Sequence, residues 1–182
     1  MPLQIALLRA INVGGRNKMP MAELKSLCLE LGLSQPQTYL QTGNLLFEAD
    51  WDEALKVKFL EGLEAQFGFC PTVVFDHAGL LGQTITDNPF GEISQNAPNH
   101  LLVYFLDRVP TAGNIESLQA GIMIMGGEKI VLVEDRLYVS YHPNGIGRSK
   151  LTVGVIEKYL GVEATGRNWN TILKLQELIQ NR

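Results

Sequence analysis

Apolar residues along this chain fall into short unbroken runs that alternate with longer stretches in which they recur every three or four positions. Leu3 to Ile11 is such a run, β-branched in part, too short for a typical helix and closed by Asn12-Val13-Gly14-Gly15, so it predicts a buried strand. Pro20 suits the first turn of a helix, Met21, Leu24, Leu27, Cys28 and Leu31 keep helical spacing, and Gly32 stands where a helix ends. Thr38 to Gln41 and Leu45 to Glu48 flank Thr42-Gly43-Asn44, which predicts a hairpin. Asp52 opens a second helix with Leu55, Phe59, Leu63 and Phe67 on one face, Gly68 ends it, and Pro71 to Phe75 reads as a strand. This β-α-β-β-α-β order is that of the ferredoxin-like unit, in which two helices cover one face of a four-stranded antiparallel sheet.

After a helix near His77 to Thr86 and a loop with Asn88-Pro89-Phe90, the pattern restarts. His100 to Leu106 predicts a strand, Ile115 to Gly121 a short helix, Lys129 to Val133 and Leu137 to Tyr141 a hairpin, Leu151 to Leu160 a helix and Val162 to Arg167 a last strand. Trp169 to Ile179 closes the chain as a helix matching the one that follows the first half. The expectation is an α+β protein of two ferredoxin-like βαββαβ halves with antiparallel sheets, each followed by an extra helix. Residues 1–90 form the first half with its trailing helix, 91–99 a linker and 100–182 the second half.

Composition narrows the setting. With 182 residues, 46% of them hydrophobic and 19% charged, burial alone can stabilise the chain. No apolar run approaches the ~20 residues needed to span a bilayer, and Met1 to Ala10 lacks a basic leader, so a soluble, cytoplasmic protein is expected. Cys28 and Cys70 lack CxxC spacing, and His77, His100 and His142 are scattered without metal-ligand spacing. Reduced structural thiols are expected, with no metal and no cofactor.

Charge changes the picture more. The net charge of −4 argues against coating duplex nucleic acid, yet the windows 1–22, 136–156 and 164–176 hold 8 of the 15 basic residues and none of the 19 acids. The remainder therefore carries −12, and three polar segments inside the windows become candidates for contact with an anion. In Arg9 to Lys18 a strand ends in a Gly-Gly loop before a helix, which brings Asn12, Gly14, Gly15 and Lys18 together with backbone amides. Arg9 lies within the apolar strand, where a guanidinium needs an acid, a carbonyl or a ligand. In Tyr141 to Lys150, Arg148, Ser149 and Lys150 precede a helix, with Ser149 as its expected N-cap. In Thr165 to Thr171, Arg167 and Asn168 adjoin Trp169. That ring either stacks on a ligand or, as Trp169, Ile172, Leu173 and Leu175 resemble a core stripe, anchors the last helix.

Leu7-Leu8-Arg9-Ala10-Ile11-Asn12-Val13-Gly14-Gly15, Gln41-Thr42-Gly43-Asn44, Asn88-Pro89-Phe90, Gly145-Ile146-Gly147-Arg148-Ser149-Lys150-Leu151 and Thr165-Gly166-Arg167-Asn168-Trp169-Asn170-Thr171 occur in that order. Together they resemble, over the whole chain, a bacterial family of unknown function, DUF1697. One departure is Ala10, where the family more often has Gly. The resemblance implies a whole-length two-part α+β architecture and supplies no activity.

Three functional classes follow. The leading expectation is a protein that binds a phosphate-bearing small molecule, or a short single-stranded nucleic acid, in a basic cleft between the halves. The three segments would converge there on one concave surface. The first alternative is a phosphoryl-transfer or hydrolytic enzyme at that cleft, with His142 as base and Arg9, Lys150 and Arg167 stabilising charge. No GxSxG elbow or Cys-His pair supports it. The second is a structural module whose sheet edges and Phe90 loop dock partners.

Overall fold

A computed structural model describes all of residues 1–182. The chain divides into two compact units, residues 1–80 and 81–182. In the first, β1 (Leu3–Leu8), α1 (Met21–Glu30), β2 (Ser34–Tyr39), β3 (Asn44–Glu48), α2 (Glu53–Phe67) and β4 (Val73–His77) build an antiparallel sheet of order β2-β3-β1-β4. The register sets Ile5 against Leu46 and Asp76, so β1 lies between β3 and β4. Strand alternation then turns Ala6, Leu8, Leu45 and Phe47 to one face, where they meet Leu24, Leu27, Phe59 and Leu63 of the two helices. Local chemistry places the helix ends. Asp52 accepts the Leu55 amide at 2.7 Å and starts α2. At the end of α1 the Leu33 amide reaches the Cys28 carbonyl at 2.9 Å while Gly32 takes φ +79°.

In the second unit α3 (Gly79–Thr86), which begins at the boundary, and α4 (Gly91–Asn96) precede β5 (Leu101–Leu106), α5 (Ala112–Met125), β6 (Lys129–Val133), β7 (Arg136–Ser140), α6 (Val153–Leu160), β8 (Ala164–Asn168) and α7 (Trp169–Gln180). The sheet order β6-β7-β5-β8 repeats that of the first unit strand for strand, so the expected duplication of two ferredoxin-like halves holds. Leu102, Tyr104, Leu106, Leu137 and Val139 face Leu118, Ile122, Ile156 and Leu160 of α5 and α6. The other face buries Val103, Phe105 and Tyr138, with the Tyr138 hydroxyl donating to the Thr84 carbonyl of α3 at 2.7 Å. No helix is long and apolar enough to cross a membrane.

Several boundaries differ from expectation. The compact units divide at Leu80 rather than after residue 90, because α3 packs within the second unit through Leu81 and Thr84. The stretch 91–99 is not a plain linker but holds α4 and the start of a 3₁₀ turn at Pro98–His100. The helix expected over 115–121 runs from Ala112 to Met125, since Thr111 caps it at Asn114. Trp169, Ile172 and Leu175 anchor α7 as the apolar stripe predicted, but Leu173 turns outward.

Candidate functional site

The segment after β1 folds into a small closed loop. Asn12 bonds through both its backbone and its side chain: its backbone amide donates to the Asn17 carbonyl at 3.0 Å, its Oδ1 accepts the Met19 amide at 2.8 Å, and its Nδ2 donates to the carbonyls of Met19 at 2.9 Å and Gln41 at 2.8 Å. Asn12 is thus a clasp, with its side chain committed to the backbone. The Arg16 amide reaches the Val13 carbonyl at 3.0 Å, closing a tight turn whose two central residues, Gly14 and Gly15, have φ of +58° and +75°. Two consecutive left-handed residues are what such a turn requires, and glycine meets the requirement without steric cost. The Asn17 side chain ties the turn back to the Ala10 carbonyl. Arg9 lies just past the end of β1 rather than within the strand as expected; it is half-buried and donates to the hydroxyl of Thr72 at 3.2 Å, so its guanidinium has an internal partner just ahead of β4.

Gly43 fixes how the hairpin between β2 and β3 meets this loop. A Cβ there would lie 2.7 Å from the Leu8 Cβ and 2.8 Å from the Leu8 carbonyl oxygen. Its own carbonyl accepts the Leu8 amide at 2.8 Å. That close approach delivers Gln41 to Asn12, joining two segments 29 residues apart.

The result is a groove of about 540 Å³ lined by Gly15, Arg16, Lys18, Gln41, Met21 and Ala22 among others, with no acid in its lining. The last two belong to the first turn of α1, which has Pro20 at its N-cap and no side-chain cap. Its first amides are orphaned by helix geometry and point toward the N-terminal end, where they and the macrodipole favour negative charge. The acid of that turn, Glu23, is exposed and outside the lining.

The second unit has a hollow of about 360 Å³ lined by His142, Asn144, Arg148, Ser149, Lys150 and an acid, Glu128. Ser149 donates to Glu128 Oε1 and accepts the Leu151 amide at 2.9 Å. It does not cap α6 as expected. That helix starts at Val153 and is capped by Thr152, three residues on, because the chain first makes a 3₁₀ turn at Ile146–Arg148. Beneath the loop the Tyr141 hydroxyl pairs with that of Tyr104 at 2.7 Å and donates to the Leu151 carbonyl at 2.9 Å. Burial, reinforced by Tyr104 and Glu128, pushes the Tyr141 phenol well above its ordinary range.

Arg167 is buried on β8, where it donates to the Thr165 hydroxyl at 2.8 Å and the Gly166 carbonyl at 2.9 Å. Burial lowers its pKa to about 10. Its register partner is Val103, so it turns to the sheet face opposite Tyr104 and Tyr141. The expected convergence of Lys150 and Arg167 therefore does not occur: alternation along β8 sends one residue away from the face that carries the hollow. Asn168 is also engaged, capping α7 at the Asn170 amide and donating to the Asn99 carbonyl at 3.1 Å. Of the expected binding residues, Asn12, Gly15 and Lys18 line the groove, Arg148, Ser149 and Lys150 line the hollow, Gly14 shapes the turn beside the groove, and Arg9, Arg167 and Asn168, like the Asn12 side chain, bond within the fold. Arg16 and Gln41 complete the groove, and sequence reasoning left them out of the site. Glu128 had no signal at all, lying 21 residues from Ser149 outside every acid-free window.

Comparison with known proteins places these features in a family and a fold. Residues 1–138 match the family described as "Protein of unknown function (DUF1697)", a span that holds the groove and ends within β7 before the hollow's loop. A conserved bacterial protein of Streptococcus pneumoniae has a similar solved structure, with a TM-score of 0.68, 21% sequence identity and 97% of each chain covered. No curated protein matches the chain.

Proposed function

The chain belongs to the DUF1697 family of proteins of unknown function, and we propose that it binds a phosphate-bearing small molecule in the groove between the Gly14-Gly15 turn and the start of α1. One observation carries the reading: Arg16, Lys18 and the uncapped first turn of α1 line a single groove from which acids are excluded. Two cations and a helix start act on the same charge, and each charge-assisted hydrogen bond contributes about 1.5–3 kcal/mol. The hollow of the second unit is the weaker site for an anion, because Glu128 sits among its cations. Asn12 and Gly43 serve the proposed site by holding the turn and Gln41 in place. The proposed setting is the cytoplasm of a bacterium, supported by two cysteines that form no disulfide and by the bacterial source of the structural neighbour.

Calorimetric titration with pyrophosphate, a nucleoside diphosphate and a short single-stranded oligonucleotide, each at low and high salt, tests the proposal. Pyrophosphate and the diphosphate bind, their affinity falls as salt rises, and Lys18→Ala or Arg16→Ala weakens binding by about tenfold, equivalent to ~1.4 kcal/mol. The double variant Arg148→Ala/Lys150→Ala binds as the wild type does. Absence of binding to all three probes at low salt refutes the reading, and loss of binding in the double variant alone moves the site to the second unit.

A further inference from the structure

The two half-equivalent edge strands, β2 and β6, end their sheets in opposite styles. β2 is polar, carries Pro36 and a left-handed Gln35, and its pairing slips between Ser34 and Gln37. Proline, bulges and irregular register are the devices by which an edge is kept from pairing. β6 has none of them. Its five residues, Lys129-Ile130-Val131-Leu132-Val133, pair with β7 in unbroken register, and on its outer side the sheet stops. An apolar groove of about 550 Å³ runs beside it, lined by Ile130, Val131 and Leu132 and by Ile115, Glu116 and Gln119 of α5. One turn further along that helix face Met123 is 83% exposed.

We propose that β6 pairs with β6 of a second copy of this chain, antiparallel about a two-fold axis at Leu132, to join two four-stranded sheets into one of eight strands. Charge selects this occupant and this direction. The strand begins with exposed Lys129 and ends at exposed Glu134 with Asp135 beside it. Antiparallel self-pairing brings each Lys129 to the acidic end of the other copy, twice per dimer, whereas parallel pairing would set lysine beside lysine and acid beside acid. Opposite charges across strands stabilise a pair and like charges destabilise it. Asp135 already holds Arg136 at 2.7 Å, which leaves Glu134 as the principal partner of Lys129. A two-fold perpendicular to the sheet also keeps both α5 helices on one face. Gln119 and Met123 of one copy then meet their counterparts across the seam, and Met123 leaves water.

The test is a charge swap read by sedimentation velocity from low micromolar to near-millimolar protein. Wild type shifts from monomer to dimer as concentration rises. Lys129→Glu and Glu134→Lys, both at exposed positions, each raise the dissociation constant by at least about tenfold, since each sets two like-charge contacts across the seam. An equimolar mixture of the two variants dimerises, because the carboxylate introduced into one chain then faces the ammonium introduced into the other. The mixture also proves that both variants are folded. Wild type that stays monomeric throughout overturns the proposal, as does a Lys129→Glu chain that dimerises like wild type or a mixture that remains monomeric. A monomeric wild type that binds an extended apolar peptide along β6 would assign the edge to a foreign strand and likewise overturn self-pairing.

Discussion

The side-chain amide of Asn12 donates to the backbone carbonyl of Gln41 across 2.8 Å while its carbonyl oxygen holds the Met19 amide. One residue thus ties the loop after β1 to the hairpin between β2 and β3 and sets the entry to α1. Asn12 does this from a left-handed backbone at φ +54°, a conformation asparagine tolerates better than most residues.

Asn12→Ala removes two donors and one acceptor and is expected to destabilise the protein by about 1–3 kcal/mol in urea unfolding. Asn12→Asp is no rescue. It retains the acceptor for Met19 but turns a carboxylate toward the carbonyls of Met19 and Gln41, so its loss equals or exceeds that of alanine. An aspartate variant as stable as wild type would show that the two donated bonds contribute nothing.

Two glycines in the same region separate crowding from backbone strain. Gly43→Ala would set a methyl 2.7 Å from the Leu8 Cβ at a φ of +97°, and is expected to cost about 2–4 kcal/mol. Gly14→Ala meets nothing within 4 Å and bears only the strain of φ +58°, about 1–2 kcal/mol. Thermal unfolding of both variants should rank them in that order, with Gly43→Ala also weakening anion binding through displacement of Gln41.

Ser149 and Glu128 form a coupled pair in the second unit. Glu128 Oε2 is already buried without a hydrogen-bond partner, and Ser149→Ala takes the partner of Oε1 as well. The expected loss is about 1–3 kcal/mol, the cost of a carboxylate left without donors. A neutral amide bears that isolation more easily, so the same substitution in a Glu128→Gln background costs less. Equal losses in both backgrounds, measured by a double-mutant cycle, would show that the two residues are independent.

Alkaline pH reports on the buried phenols. Burial, assisted by Asp87 and opposed by Arg136, pushes Tyr138 up to about 12, and burial raises Tyr104 and Tyr141 as well. In the unfolded chain these groups ionise near pH 10, while the fold keeps them protonated. Above pH 10 the unfolded state therefore binds fewer protons, and stability falls as pH rises through pH 10 to 12, with no contribution from these phenols to the pH dependence below that window. Tyr141→Phe lowers stability at neutral pH by about 1–2 kcal/mol, since Tyr104 and the Leu151 carbonyl lose a partner, yet makes the alkaline decline shallower. A decline of unchanged slope would exclude Tyr141 as a contributor.

Much of this was legible along the chain because its causes are local. The runs at Leu3–Leu8 and Leu101–Leu106 alternate onto two buried faces, Asp52 caps α2, and Gly32 and Gly68 end helices in left-handed conformation. Each depends on residues within one or two turns, so two ferredoxin-like halves could be read from element order. Errors arose where a boundary depends on remote packing. The division at Leu80 follows from α3 meeting Tyr138, 54 residues on from Thr84.

Sequence by itself determined the strand and helix order, the duplication and the acid-free segments around Gly15, Lys150 and Arg167. Only the tertiary structure decided what those segments do. Charge along a chain is a property of the segment, but a field is a property of what faces it. Register turns Arg167 away from the second unit's hollow, and a distant acid, Glu128, enters that hollow. At Lys18 the closing of Asn12 on Gln41 leaves two cations beside an uncapped helix start with no acid opposite. Similar stretches of sequence thus acquired different electrostatic surroundings, because long-range backbone hydrogen bonds and strand alternation, rather than composition, choose the neighbours.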